Sequence, residues 1–437
     1  MVAVFHQKGN QRILAANRIR NTSNTMVLGS LLASGLLLAT AAPAAQTELI
    51  FMAGNSQQLG YNNAWKLDLS LKQPAAMIAN SSEGGGIDPA MMFTSNAAIC
   101  GGVHYSLFWY LLDGSDAKHR RYGVGQIDLA TEAFTWSFLP AKKAFFGVWC
   151  APLAVGTPVA VAGKSQGDYL PGKISAAAAD GTYSIMYEDN DEESAVPLAS
   201  IRPVDSDSLL VVSAPVPFDL ADDDVDPLRA AAFTVERATL GTANWTTTAV
   251  AGPIAAPSDE YVPTNEGLFS FDGVSRLWAT FSLEHQPGLA HRNAAVIHVL
   301  DTRSNTSSTH HTKAESGYAQ NTQAVPPGSG STWAVMRRLK NGDRKEVLKL
   351  ATLDLDIDAG TDIAPTADIA DVSGIAASSG MPAAVCNGNV VTYNTDNFHW
   401  FNITSFDPRS GSVLWNLDTL SALPGTSYAF ASAFACY

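Results

Sequence analysis

A short apolar strand that ends in an acidic residue and runs into a turn recurs along most of this chain. It reads "AWKLDLS" at Asp68, "GQIDLAT" at Asp128, "AVIHVLDTRS" at Asp301, "KLATLDLD" at Asp354 and "NITSFDPRSG" at Asp407, with a degenerate copy "FTVERATLGT" at Glu236. The acids are 60, 108, 65, 53 and 53 residues apart. An anomalous stretch lies inside the long interval, and removing about 54 residues for it brings that interval into line with the rest. A unit of this size suits one four-stranded antiparallel sheet. From residue 48 onward, short alternating apolar runs bounded by Gly, Asn, Asp and Pro recur without a sustained helical period. The repeat therefore predicts an all-β chain built from six such sheets.

Two copies agree further. "DLATEAFTW" (Asp128–Trp136) and "DPRSGSVLW" (Asp407–Trp415) share an acid, two residues, Ser or Thr, and a Trp eight residues after the acid. The acid and hydroxyl close a turn on backbone N–H groups, and the Trp on the returning strand is expected to cover the face between sheets. The pattern resembles the blade signature of PQQ-like and related quinoprotein-type β-propellers. That resemblance implies an all-β, six-bladed β-propeller. It carries no implication of a quinone, and no cofactor is expected. "SYAFASAFACY" (Ser427–Tyr437) is expected to be the innermost strand of the first blade, beside "ELIFMAG" (Glu48–Gly54), closing the ring and hiding its edges.

Four cysteines, Cys100, Cys150, Cys386 and Cys436, fall where this registration places innermost strands, in blades 2, 3, 6 and 1. They read either as small buried side chains of common ancestry or as a disulfide between blade 1 and a neighbour, Cys436 with Cys386 or with Cys100.

The anomalous stretch is "VGTPVAVAGKSQGDYLPGKISAAAADGTYSIMYEDNDEESAVPLASIRPV". Gly156, Tyr169 with Pro171-Gly172-Lys173-Ile174, Asp180-Gly181-Thr182-Tyr183, Tyr187 with its acidic turn, and Val196-Pro197 leading to Ile201-Arg202 occur in the order seen in Tudor/agenet-type SH3-like barrels, which the stretch resembles. Residues 151–206 are accordingly expected to be a small barrel inserted in blade 3. Residues 46–150 would supply blades 1–2 and the start of blade 3, and residues 207–437 the remainder. The resemblance implies a cage for a methylated Lys or Arg made by Tyr169, Tyr183 and Tyr187 with Asp189 and Asp191. Gly163 and Leu170 stand where further aromatic residues are common.

Residues 1–25 are basic and acid-free, and "VLGSLLASGLLLATAA" (Val27–Ala42) is an uncharged apolar run before "APA" (Ala42–Ala44). Residues 1–45 thus read as a signal peptide or signal anchor, with an organelle transit peptide as the alternative, and the body is expected to be secreted or extracytoplasmic. Sequons at Asn80, Asn244, Asn305 and Asn402 suit a glycoprotein. Without Lys8, Arg12, Arg18 and Arg20 the body has 23 basic against 41 acidic residues, which disfavours nucleic acid. No membrane contact is expected beyond the N-terminal anchor.

Chemistry is sparse. "DLADDDVDP" (Asp219–Pro227) offers Asp222, Asp224 and Asp226 to a hard cation, or is a solvated acidic loop. No nucleophile elbow, phosphate loop or dinucleotide fingerprint occurs. The expectation is an exported, non-catalytic binding scaffold for a protein or peptide, cationic in one version. Its ligand surface would be the propeller top and the barrel rim. The alternatives are a propeller hydrolase or oxidoreductase with an axial site, and a methyl-lysine or methyl-arginine reader.

Overall fold

The computed structural model describes residues 46–54, 62–71, 75–80, 87, 91–111, 120–162, 169–178, 181–204, 208–215, 232–241, 244–255, 261–263, 269–283, 295–312, 318–324, 331–339, 346–354, 362–363, 367–371, 381–396, 400–407, 412–418, 423 and 430–437. Among these the regular elements are strands, apart from one 3-10 turn at Leu198–Ser200.

The strands form a propeller-like succession of antiparallel sheets. Sheet 1 holds β1 (Glu48–Gly54), β2 (Asn62–Asp68) and β3 (Ala76–Ala79); sheet 2 holds β4 (Met91–Cys100), β5 (Val103–Leu111), β6 (Arg120–Asp128) and β7 (Phe134–Phe138). Sheet 3 begins with β8 (Lys143–Cys150). A separate five-stranded module follows: β9 (Pro158–Ala162), β10 (Tyr169–Ala177), β11 (Thr182–Tyr187), β12 (Glu192–Pro197) and β13 (Ile201–Pro203). Sheet 3 then resumes with β14 (Ser208–Pro215), β15 (Ala232–Leu240) and β16 (Trp245–Ala255).

Sheet 4 has an inner strand in two pieces, β17 (Tyr261–Pro263) and β18 (Phe269–Phe271), then β19 (Arg276–Leu283), β20 (Ala295–Asp301) and β21 (Thr306–Thr312). Sheet 5 holds β22 (Tyr318–Ala324), β23 (Ser331–Leu339), β24 (Glu346–Asp354) and, after the short β25 (Asp362–Ile363) that runs parallel to β21, β26 (Ala367–Asp371). Sheet 6 holds β27 (Met381–Cys386), β28 (Asn389–Asp396), β29 (Trp400–Phe406) and β30 (Val413–Asp418).

The last strand, β31 (Phe430–Cys436), returns to sheet 1. It pairs antiparallel with β1, from Leu49 opposite Cys436 to Gly54 opposite Phe430, and touches β4 in parallel through Phe434 and Asn96. The innermost strands follow one another in space: β31 beside β4, β4 beside β8, β8 beside β18, β18 beside β22, β22 beside β27, and β27 beside β31. Two disulfides join such neighbours at their C-terminal ends, Cys100–Cys150 between β4 and β8 and Cys386–Cys436 between β27 and β31. Each spans 5.6 Å between Cα atoms and 50 residues of sequence.

Alternation explains the packing. Leu209 and Val211 of β14 point into the layer between sheets 2 and 3, while Leu210 and Val212 point into the layer between sheets 3 and 4. β1 does the same, with Leu49, Phe51 and Ala53 on the sheet 6 side and Ile50 and Met52 on the sheet 2 side. A strand apolar on both faces is stable only with a sheet on either side, and each large side chain so buried contributes roughly 1.5–3 kcal/mol.

The acids of the repeat close the third strands. Asp68, Asp128, Asp301 and Asp354 are the last residues of β2, β6, β20 and β24, and Asp407 directly follows β29. The Asp128 carboxylate accepts from the N–H groups of Ala130 (3.0 Å) and Thr131 (2.9 Å), and Asp301 from those of Arg303 (2.9 Å) and Ser304 (2.8 Å). Burial opposes the charge on Asp301, but these bonds outweigh it and hold its pKa below the usual carboxylate value. Glu236 is the exception. It lies inside β15 opposite Val211 and Ala249, 4% exposed, and takes Lys143 Nζ at 2.5 Å. The degenerate copy is therefore a buried ion-pair position and caps no turn.

His104 of β5 is fully buried, with Nε2 2.9 Å from the carbonyl of Ala433. Ala433 has φ +53° where β31 slips register against β1, so its carbonyl serves the neighbouring sheet. Burial penalises the imidazolium and lowers the pKa from 6.5 to about 4. Between these values the unfolded chain binds a proton that the folded chain refuses. The His104 contribution is complete above pH 6.5 and is lost as pH falls toward 4, a loss of about 3 kcal/mol at the acid end. Urea midpoints of the wild type should fall across this window, and those of His104→Gln should fall less. Replacing Cys386 and Cys436 together by Ser should lower stability by about 2–4 kcal/mol in the same titration.

Candidate binding surface

The module between Cys150 and Ser208 is an antiparallel sheet in the order β12-β11-β10-β9-β13. Leu153, Val159, Val161, Ile174, Tyr183, Ile185, Val196 and Ile201 form its own core. The β10–β11 hairpin sets Ile174 opposite Ile185 and Ala177 opposite Tyr183, so the alternating residues Tyr183, Ile185 and Tyr187 share the inner face. β11 then turns through Glu188–Asn190 into β12.

The module is docked on the turn between β4 and β5. Gly101 (φ +57°) and Gly102 (φ +75°) make that turn in a region that favours glycine. A Cβ on Gly101 would strike Arg202, and one on Gly102 would strike the Tyr169 hydroxyl. Tyr169 donates to the Gly101 carbonyl at 2.8 Å, and Arg237 of β15 reaches the Pro152 carbonyl at 3.4 Å. Burial, then the electrostatic influence of Tyr437, raises the Tyr169 pKa above its ordinary value.

The three tyrosines thus serve different ends. Tyr169 anchors the module on sheet 2. Tyr183 is 3% exposed, and its hydroxyl accepts the Leu153 N–H at 3.1 Å, which makes it a core residue instead of a wall of a surface cage. Tyr187 is at the rim, half-buried, and donates to Glu193 at 2.5 Å. Burial and that carboxylate hold its hydroxyl protonated well above the usual range. Asp189 accepts the Asp191 N–H at 3.1 Å within the turn, and both are exposed. Glu188, Asp189, Asp191, Glu192 and Glu193 therefore give the hairpin an exposed acidic tip with no ion pair among the described residues, flanked by exposed Met186. Exposed Leu170 stands on β10.

Asp222, Asp224 and Asp226 lie outside the described residues. Among the described residues no group of His, Cys, Asp and Glu is arranged to hold a metal ion. No described helix is long and apolar enough to cross a bilayer, and Val27–Ala42 also lies outside the described residues.

One cluster escaped the sequence reading. Trp136 and Trp415 are equivalent in the repeat, yet Trp415 packs into the layer between sheets 6 and 1 whereas Trp136 on β7 is 37% exposed. Trp136 stacks on Tyr110 (6.5 Å, 15°) and meets Phe138 edge-on at 5.1 Å. The signal was Gly123 and Gly125 on β6, opposite Phe138 and Trp136, where missing side chains let rings from β5 and β7 meet.

No protein-family profile matches the chain, and no curated protein matches it. Among solved structures, a candidate 6-phosphogluconolactonase from Bacteroides fragilis NCTC 9343 is similar at 10% identity over 90% of this chain and 98% of that one, with a TM-score of 0.40. A quinonprotein alcohol dehydrogenase-like protein from Bacteroides thetaiotaomicron VPI-5482 is similar at 12% identity over 88% and 77%, with a TM-score of 0.37. Neither similarity assigns an activity.

Removing the Tyr169 hydroxyl with Tyr169→Phe should cost about 1 kcal/mol, and Gly102→Ala should cost more through strain and the clash. Both variants should show faster hydrogen exchange across residues 151–206 than the wild type, while β1 and β31 exchange as before.

Proposed function

We propose that this chain is an exported six-bladed β-propeller with a Tudor/agenet-like SH3-type barrel in its third blade, acting as a non-catalytic scaffold that binds a cationic protein or peptide segment. The observation that carries the reading is the acidic hairpin of residues 188–193, raised in solvent on a module whose base is fixed to sheets 2 and 3. Support for the ring comes from the order of the inner strands, which returns from β27 to β31 and so to its start. Support for export comes from two disulfides, which suit an oxidising compartment.

The acidic tip favours charge recognition over a methyl-group cage, because Tyr183 is interior and the Tyr169 hydroxyl is engaged with Gly101. Exposed carboxylates act weakly one by one, about 0.2–1 kcal/mol each. Grouped, they speed encounter and select partner charge, and salt weakens both effects.

The test is fluorescence anisotropy with a short Lys/Arg-rich peptide on the purified body. Binding should be micromolar in order and weaken steadily with added salt. It should fall about tenfold, roughly 1.4 kcal/mol, in the combined variant Glu188→Gln, Asp189→Asn, Asp191→Asn. Equal binding by that variant, or turnover of a glycan, ester or peptide by the body, overturns the proposal.

A further inference from the structure

The aromatic cluster at the outer edge of sheet 2 contains a cation to which the described residues bring no carboxylate. Arg121 of β6 lies opposite Tyr110 of β5, and its guanidinium carbon sits 3.9 Å above the Phe138 ring. Its Nε is buried without a hydrogen-bond partner, and among the described residues no carboxylate pairs with Arg121. The ring covers the face of the guanidinium, and the buried Nε–H in its plane has no acceptor among the described residues. In a chain with 41 acidic and 27 basic residues, an arginine stacked on a ring and without a carboxylate partner among the described residues suits a carboxylate brought by a ligand.

The neighbours define what carries that carboxylate. Trp136 and Tyr110 lie nearly parallel, at 15°, and Trp136 keeps more than a third of its surface in solvent. The repeat-equivalent Trp415 does not stand out in this way: it is packed between sheets. Tyr110, Phe134 and Phe138 lean on the core between sheets 1 and 2, leaving Trp136 as the ring that projects. A flat aromatic surface beside a guanidinium suits a ligand with one apolar face and a carboxylate on its edge. A pyranose with an acidic substituent has that shape. An extended peptide would pair along the edge of β7 that no described strand covers, in the plane of the sheet, and leave the Trp136 face unused.

We propose that Trp136, Tyr110, Phe138 and Arg121 form a binding site for an acidic sugar, with the pyranose ring against Trp136 and its carboxylate on the Arg121 guanidinium through paired N–H···O bonds. The site is on sheet 2 and is independent of the acidic hairpin and its partner.

The experiment is isothermal titration of the purified body with an oligogalacturonate and with a neutral galactan oligomer of equal length. The acidic oligomer should bind in the high-micromolar to millimolar range, and the neutral one about tenfold more weakly. Trp136→Ala and Arg121→Gln should each reduce affinity for the acidic oligomer about tenfold, and Arg121→Lys should recover only part of it, since an ammonium lacks the planar fork. Unchanged melting temperatures certify the fold. Should Trp136→Ala unfold, Trp136→Thr and saturation-transfer NMR on the wild type take its place, with transfer expected to the ring C–H protons of the sugar. No binding at several times that concentration, equal binding of acidic and neutral oligomers, or Arg121→Gln binding as the wild type overturns the proposal. Preference for a peptide carboxylate over the oligogalacturonate does so too.

Discussion

Pairing between the first described strand and the last governs this architecture. β31 supplies the inner edge that β1 lacks, and the partners lie more than 370 residues apart in sequence. Bringing such distant segments together carries a closure entropy that grows only slowly with length, and several contacts offset it at one place. Phe434 stacks on Phe51 at 5.3 Å, His104 takes the bulged Ala433 carbonyl, and Cys436 is bonded to Cys386. Gln46 and Asn387 add three reciprocal bonds between side chain and backbone at 2.7–2.8 Å. Three elements from separate parts of the chain thus meet on one strand.

Much of this was legible before any coordinates. An aspartate that caps a turn leaves a local sequence mark, because its partners are two and three residues away, as at Asp128 and Asp301. Glu236 imitates the mark but answers to Lys143, 93 positions distant, and no local pattern shows that. The interior place of Tyr183 escapes local pattern for a related reason. Family resemblance gives a residue type and an order, whereas the face on which a side chain falls depends on hairpin register and on the bulge between Ile174 and Ala176. The partners chosen by the four cysteines depend on which inner strands are neighbours, a property of the assembled sheets. The aromatic edge of sheet 2 follows from two glycines on a strand between ring-bearing ones, a cross-strand effect that a linear reading does not weigh.

The inserted module is a part of the body and no loose appendage. Its attachment relies on two consecutive glycines in the β4–β5 turn, where any larger residue would meet Tyr169 or Arg202. That turn directly follows Cys100, whose partner Cys150 ends the strand that leads into the module. A force applied to the acidic hairpin is therefore passed through β10 and Tyr169 to the inner strands of sheets 2 and 3.

The return of β31 also sets a schedule for biosynthesis. A ribosome emits β1 early, and the complementary edge emerges only after every other described strand has been made. Throughout that interval the hydrogen-bonding side of β1 is open to unintended partners, the hazard that exposed strand edges carry. A nascent chain stalled before residue 430 would leave that edge open, so the first sheet is sealed only once β31 has emerged.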